Sequence, residues 1–130
     1  MKINNEMNNS NIRIMIADDD PGILDSVSIM LEYRGYDVLL SSINTLEAVK
    51  QELPDLLLLD IWMSGQDGID ICKALKADEK TKELPVLMIS ASRDIEGSAR
   101  NAGADDFLAK PFEMNQLFAK METLLKTVKH

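Results

Sequence analysis

"DLLLLDIWMSG", residues 55–65, drives four consecutive leucines into an aspartate. A continuous apolar run without polar alternation marks a strand buried on both faces, as in the middle of a parallel sheet. The carboxylate at its end is the anomaly. An isolated ionised carboxylate in an apolar interior is costly and usually escapes by protonation or pairing. Asp60 therefore either ends a strand at the surface or carries a charge that is wanted there.

On either side of this run, short Ile/Leu/Val-rich stretches alternate with longer amphipathic segments. "NIRIMIA" (about 11–17) predicts the first strand, followed by a helix from Pro21 to about Arg34. Asp20 suits its N-cap, Pro21 its first turn and Gly35 its stop. Ile23, Leu24, Val27, Met30 and Leu31 recur at helical spacing and give it one buried face. "YDVLL" predicts the second strand, and Thr45 to about Glu52 a short second helix. After the leucine strand, the turn "SGQDG" leads into a third helix over about 68–77. "PVLMIS" is the fourth strand, and "DIEGSARNAG" a weaker fourth helix with Gly97 inside it. Glycine there costs roughly 1 kcal/mol relative to alanine, so this helix is expected to be the least stable element. "DDFLAK" is the fifth strand, and the last helix carries a periodic apolar face from Met114 through Leu117, Phe118, Met121, Leu124 and Leu125 to Val128. Five strands alternating with five helices predict an α/β fold with an open, doubly wound parallel sheet.

The 130 residues suit one domain, and their 45% apolar and 28% charged content is that of a globular chain. No stretch reaches the length of a membrane span, and the Asn-rich residues 1–10, "MKINNEMNNS", read as a disordered polar leader to a domain at 11–130. The single cysteine, Cys72, excludes an internal disulfide and a cysteine metal cage. The single histidine is residue 130, which excludes catalysis by an internal histidine. These features predict a cytoplasmic protein. A net charge of −8 argues against direct binding to a nucleic-acid backbone. Lys110, Lys120, Lys126 and Lys129 are interleaved with apolar residues and read as a solvated helix face rather than a basic patch.

In doubly wound sheets, functional groups gather at the carboxyl ends of the strands. There the chain has Asp18, Asp19 and Asp20 after strand one, Asp60 after strand three, Ser90 after strand four and Lys110 after strand five. Each has a plain reading by itself as a cap, a turn or a solvated strand end. Together they describe a pocket in which mutually repelling carboxylates would call for a hard divalent cation such as Mg2+, which prefers oxygen ligands and recruits phosphate. With the cation in place Asp60 could remain ionised as a nucleophile, while Lys110 and Ser90 hold the oxygens of a transferred phosphoryl group.

These residues resemble the receiver domain of bacterial two-component response regulators, the CheY-like, flavodoxin-like family. "IMIADDDP", "PDLLLLDIWMSGQDG", "PVLMISA" and "GADDFLAKPF" are similar to its four motifs, in order and in register, over about Ile12 to Val128. The resemblance implies strand order 2-1-3-4-5 and phosphorylation of Asp60 by a histidine kinase or histidine phosphotransfer protein. It implies Mg2+, with Mn2+ as a substitute, held by Asp18, Asp19, Asp60 and the backbone carbonyl of Trp62. It further implies Ser90 and Phe107 as switch residues, a cis Lys110–Pro111 bond, and a responsive face made by helix four, strand five and helix five. An output partner is implied without being identified, and a phosphorylation-dependent homodimer through that face is compatible with the family. The protein would catalyse its own phosphorylation and dephosphorylation, with no separate turnover. Ser64 departs from the proline frequent in the family, and Trp62 and Ser92 stand two residues beyond Asp60 and Ser90, where the family tunes phosphoryl lifetime.

Other functions fit less well. A flavodoxin-like cofactor site needs a phosphate cradle in its first loop, where "ADDDPG" presents three anions. A phosphatase of the haloacid dehalogenase type needs a second acid two residues after its nucleophile, where Trp62 stands. A pseudo-receiver, binding partners without phosphorylation, is the remaining alternative.

Overall fold

A computed structural model describes residues 11–63, 65–91 and 96–126. The leader at 1–10, Ser64, Ser92, Val128 and His130 lie outside the described residues. The element order is β1 (Arg13–Ala17), α1 (Pro21–Tyr33), β2 (Asp37–Ser41), α2 (Thr45–Glu52), β3 (Leu56–Asp60), β4 (Trp62–Met63), β5 (Gln66–Asp67), α3 (Gly68–Ala77), β6 (Val86–Ser90), α4 (Glu96–Asn101), β7 (Asp106–Ala109) and α5 (Met114–Lys126).

The main sheet is parallel throughout, in the order β2-β1-β3-β6-β7. Counted along the main sheet alone this is 2-1-3-4-5, as the resemblance implies. The leucine run is its central strand. Because side chains alternate across a strand, Leu56 and Leu58 enter the core beneath α1 and α5, while Leu57 and Leu59 enter the core beneath α2, α3 and α4. All four are essentially inaccessible to water, each contributing about 2 kcal/mol of apolar burial. The helices are unequally anchored in these cores. Helix α5 buries Leu117, Phe118, Met121, Leu124 and Leu125, whereas α4 buries Ala99 alone.

Local signals end the elements where the sequence predicts. Asp20 accepts the Gly22 N–H at 2.9 Å and starts α1 with Pro21 in its first turn. Gly35, at φ +94°, turns the chain out of α1, and the Tyr36 N–H reaches back to the Leu31 carbonyl at 3.1 Å. The unexpected element is small. Where the sequence predicts a simple turn, β4 and β5 pair antiparallel, Trp62 with Asp67 and Met63 with Gln66. Strands of two residues carry no periodicity that a sequence pattern could reveal.

Candidate functional site

The parallel arrangement brings the predicted polar residues to one edge. Asp18 and Asp19 lie in the loop after β1, Asp60 and Ser90 are the last residues of β3 and β6, and Lys110 follows β7. Asp18, Asp60 and Ser90 are buried, and Asp19 is exposed. Oxygen atoms of Asp18, Asp19 and Asp60 all lie within 4.8 Å of one another.

Hydrogen bonding orients Asp18 from two sides. One oxygen accepts the Asp20 N–H at 3.0 Å and the other accepts from Lys110 Nζ at 3.0 Å. The same ammonium stands 3.5 Å from Asp60 Oδ1, so its shorter bond goes to Asp18 rather than to the carboxylate at the end of the leucine strand. Burial, followed by the negative charge of Asp18, raises the Asp60 pKa to about 6, against the opposing pull of Lys110. For Lys110, burial opposes the charge, but the hydrogen bond to Asp18 and the charges of Asp60 and Asp18 prevail and hold its pKa above the usual value.

The donor set fits a hard divalent cation. Three carboxylates converge, two of them buried, and the Lys110 ammonium bridges Asp18 and Asp60 by salt bridges. All three offer oxygen, the ligand that Mg2+ and Mn2+ accept. Asp20 is spent on capping α1 and stands outside this trio.

The remaining predicted residues surround the pocket. Trp62 lies on β4 with its side chain 60% exposed. Phe107 is buried on β7 and shares a core with Ala99 of α4. Lys110–Pro111 is cis. On the outer side of β7, Asp106 accepts from Lys120 of α5 at 3.1 Å and lies 3.4 Å from Arg100 of α4, so one carboxylate joins the two helices. Two features escaped the sequence pattern. One is an apolar groove of about 370 Å³ beside Lys110, lined by Ile23, Val27, Pro111, Phe112 and Met114 among others. The other is the Gln66 side chain, which bonds across to the start of α2.

A doubly wound parallel sheet with an acidic trio, a hydroxyl and a lysine at its carboxyl edge is the architecture of a CheY-like receiver. The chain belongs to the response regulator receiver domain family, whose model matches residues 14–122. It is 42% identical, over 88% of its length and 49% of the relative's, to the DNA-binding dual master transcriptional regulator RpaA of Synechocystis. The receiver domain of NtrX from Brucella abortus superposes with a TM-score of 0.80 at 34% identity, covering 88% of this chain and 99% of that one. The receiver domain of the sensor histidine kinase PA1611 from Pseudomonas aeruginosa, 23% identical, shares the fold at a TM-score of 0.82, with 89% and 98% covered. That crystal structure holds a magnesium ion coordinated in its active site cleft. The chain spans about half the length of the curated relatives it matches. Among the described residues, no helix is long and apolar enough to cross a membrane.

Proposed function

We propose that this receiver is a working phosphoacceptor, that Asp60 is its nucleophile, and that a histidine kinase or histidine phosphotransfer protein is its donor. The observation that carries this reading is the convergence of Asp18, Asp19 and Asp60 within 4.8 Å, with Lys110 bridging the two buried carboxylates. Asp18, Asp19, Asp60 and the Trp62 carbonyl would hold Mg2+, with Mn2+ as a substitute. The bound cation would neutralise the carboxylates and the incoming phosphoryl oxygens.

An Asp60 oxygen attacks the phosphorus of the donor phosphohistidine; the P–N bond breaks as the P–O bond forms, and the imidazole leaves. The Lys110 ammonium, salt-bridged to Asp18 and Asp60, would pair with a phosphoryl oxygen, and the Ser90 hydroxyl would donate to another. Such transfer depends mainly on position and charge. Dephosphorylation is attack of water on the same phosphorus, which breaks the P–O bond to Asp60, returns its carboxylate and releases inorganic phosphate. The apolar groove lined in part by Lys110 would seat the donor. The added dianion biases the lightly anchored α4, and the α4–β7–α5 face, joined through Asp106, reports the change to an output partner. A cytoplasmic setting suits both partners.

Intact mass after incubation with Mg2+ and a small phosphodonor tests this reading, beside Asp60→Asn. One added phosphoryl group, absent without Mg2+ and absent in the variant, is the expected result. No added mass, under conditions where decay is too slow to hide it, would leave the pseudo-receiver as the function.

A further inference from the structure

The loop that leaves Asp60 is tied to a second helix through one side chain. Helix α2 lacks a cap of its own: Asn44, at the N-cap, adopts φ 51° and ψ 42°, and its side chain makes no cap hydrogen bond. The first helical N–H, that of Thr45, donates instead to Gln66 Oε1 at 2.7 Å. Gln66 Nε2 donates to the Ser42 carbonyl at 3.1 Å. One amide thus grips the entry to α2 from 21 residues away, accepting from one backbone group and donating to another.

Gln66 has little freedom to move apart from Asp60. It stands on β5, whose pairing with β4 turns the loop after Asp60 into a closed hairpin. At the hairpin base the Gly68 N–H donates to the Ile61 carbonyl at 2.9 Å. A Cβ on Gly68 would lie 2.6 Å from the Asp60 carbonyl oxygen, so the backbones are in direct contact there. The same entry segment is also tied to the other buried carboxylate. The Asp18 N–H donates to the Ser41 carbonyl at 3.1 Å, and the Ser41 and Thr45 hydroxyls share a buried 2.9 Å hydrogen bond.

We propose that Gln66 is a positioning residue that couples occupancy of the acidic pocket to the N-terminus of α2, making residues 42–49 a second reporter besides the α4–β7–α5 face. The inference rests on the reading that Asp18 and Asp60 share a divalent cation. A cation that fixes the spacing of the two carboxylates fixes the spacing of the two loops, and both loops hydrogen-bond to the segment that enters α2. The two bonds of Gln66 run in opposite senses, so a shift of the hairpin disturbs the cap and the Ser42 contact together.

The test uses the full chain and Mg2+ alone, with amide hydrogen exchange read residue by residue by NMR and Mg2+ binding measured independently by calorimetry. In the native protein Mg2+ is expected to slow exchange at residues 45–49 by about fivefold, the size of a helix cap. Gln66→Ala is expected to bind Mg2+ but to exchange faster at 45–49 and to show no response there. Gln66→Glu, which retains an acceptor for the Thr45 N–H, should recover most of the metal-free protection, separating loss of the cap from loss of the fold. Mg2+ binding without protection of 45–49 in the native protein, or equal protection in Gln66→Ala, overturns the coupling alone. No Mg2+ binding in the native protein overturns the reading of the site, and the coupling with it.

Discussion

Replacing Asp60 with asparagine should stabilise the metal-free protein, although it removes the proposed phosphoacceptor. The Asp60 carboxyl is raised from 3.8 to about 6 by burial and by Asp18. Each pH unit of such displacement corresponds to about 1.4 kcal/mol, so holding Asp60 ionised above pH 7 costs the native state about 3 kcal/mol. The sign follows from proton binding. Between pH 3.8 and about 6 the folded protein holds a proton that the unfolded chain has released, so this contribution to stability falls as pH rises through that window and is flat above it. Asparagine removes the charge but also its attraction to Lys110; that lysine keeps its 3.0 Å bond to Asp18. A net gain of about 1–2 kcal/mol at pH 7.5 is expected once the new amide has been accommodated. Urea unfolding of both proteins in chelator, from pH 4 to 8, measures the difference while the other titrating groups cancel. The variant should gain most above pH 6, and added Mg2+ should favour the native protein by mass action. An Asp60→Asn protein no more stable than its parent at pH 7.5, or a difference that does not vary with pH, would refute the reasoning.

Four further outcomes follow from local geometry. Gly97→Ala places a methyl where nothing lies within 4 Å, so it should stabilise α4 by about 0.5–1 kcal/mol; slower exchange across 96–101 is the readout, and a lower melting temperature would contradict it. Gly68→Ala places its methyl 2.6 Å from the Asp60 carbonyl oxygen and 2.7 Å from Ile61 Cα, which should destabilise the fold by about 1–3 kcal/mol and slow phosphorylation; unchanged unfolding would count against the contact. Phe112→Glu, in the apolar groove, should slow transfer from a phosphohistidine protein at least about tenfold while sparing a small phosphodonor, and equal slowing with both would deny the groove a role in docking. Trp62→Asn should hasten loss of the phosphoryl group by removing the bulky side chain two residues beyond Asp60, and equal decay rates would discard that role for the indole.

The fold was readable because its largest energetic commitments are written as local patterns. The leucine run, the Asp20–Pro21 start and the Gly35 stop each state their structure within a few residues. That the candidate residues would gather was readable from the topology: a doubly wound sheet turns the ends of strands distant in sequence into one edge. What escaped depends on contacts no window contains. Lys110 was expected among the acids, yet which oxygen its ammonium prefers is set by the Asp20 N–H orienting Asp18. Asn44 is of a favoured capping type, yet it adopts a left-handed conformation and leaves the task to Gln66 across the fold. The hairpin of β4 and β5 is too short for periodicity, and the Gly68 contact needs the Asp60 backbone beside it before the glycine has a reason.

The light anchoring of α4 has a consequence for how such a protein can diverge. Five of its six residues lie on the surface, and Ala99 alone is held in the core. Substitutions at Ser98 or Asn101 can therefore change the exposed surface of α4 at little expense to folding. The carboxylates, by contrast, sit at the ends of strands whose neighbours fill both cores, where almost any change is felt on two sides. The surface of one helix can vary while the acidic pocket stays fixed.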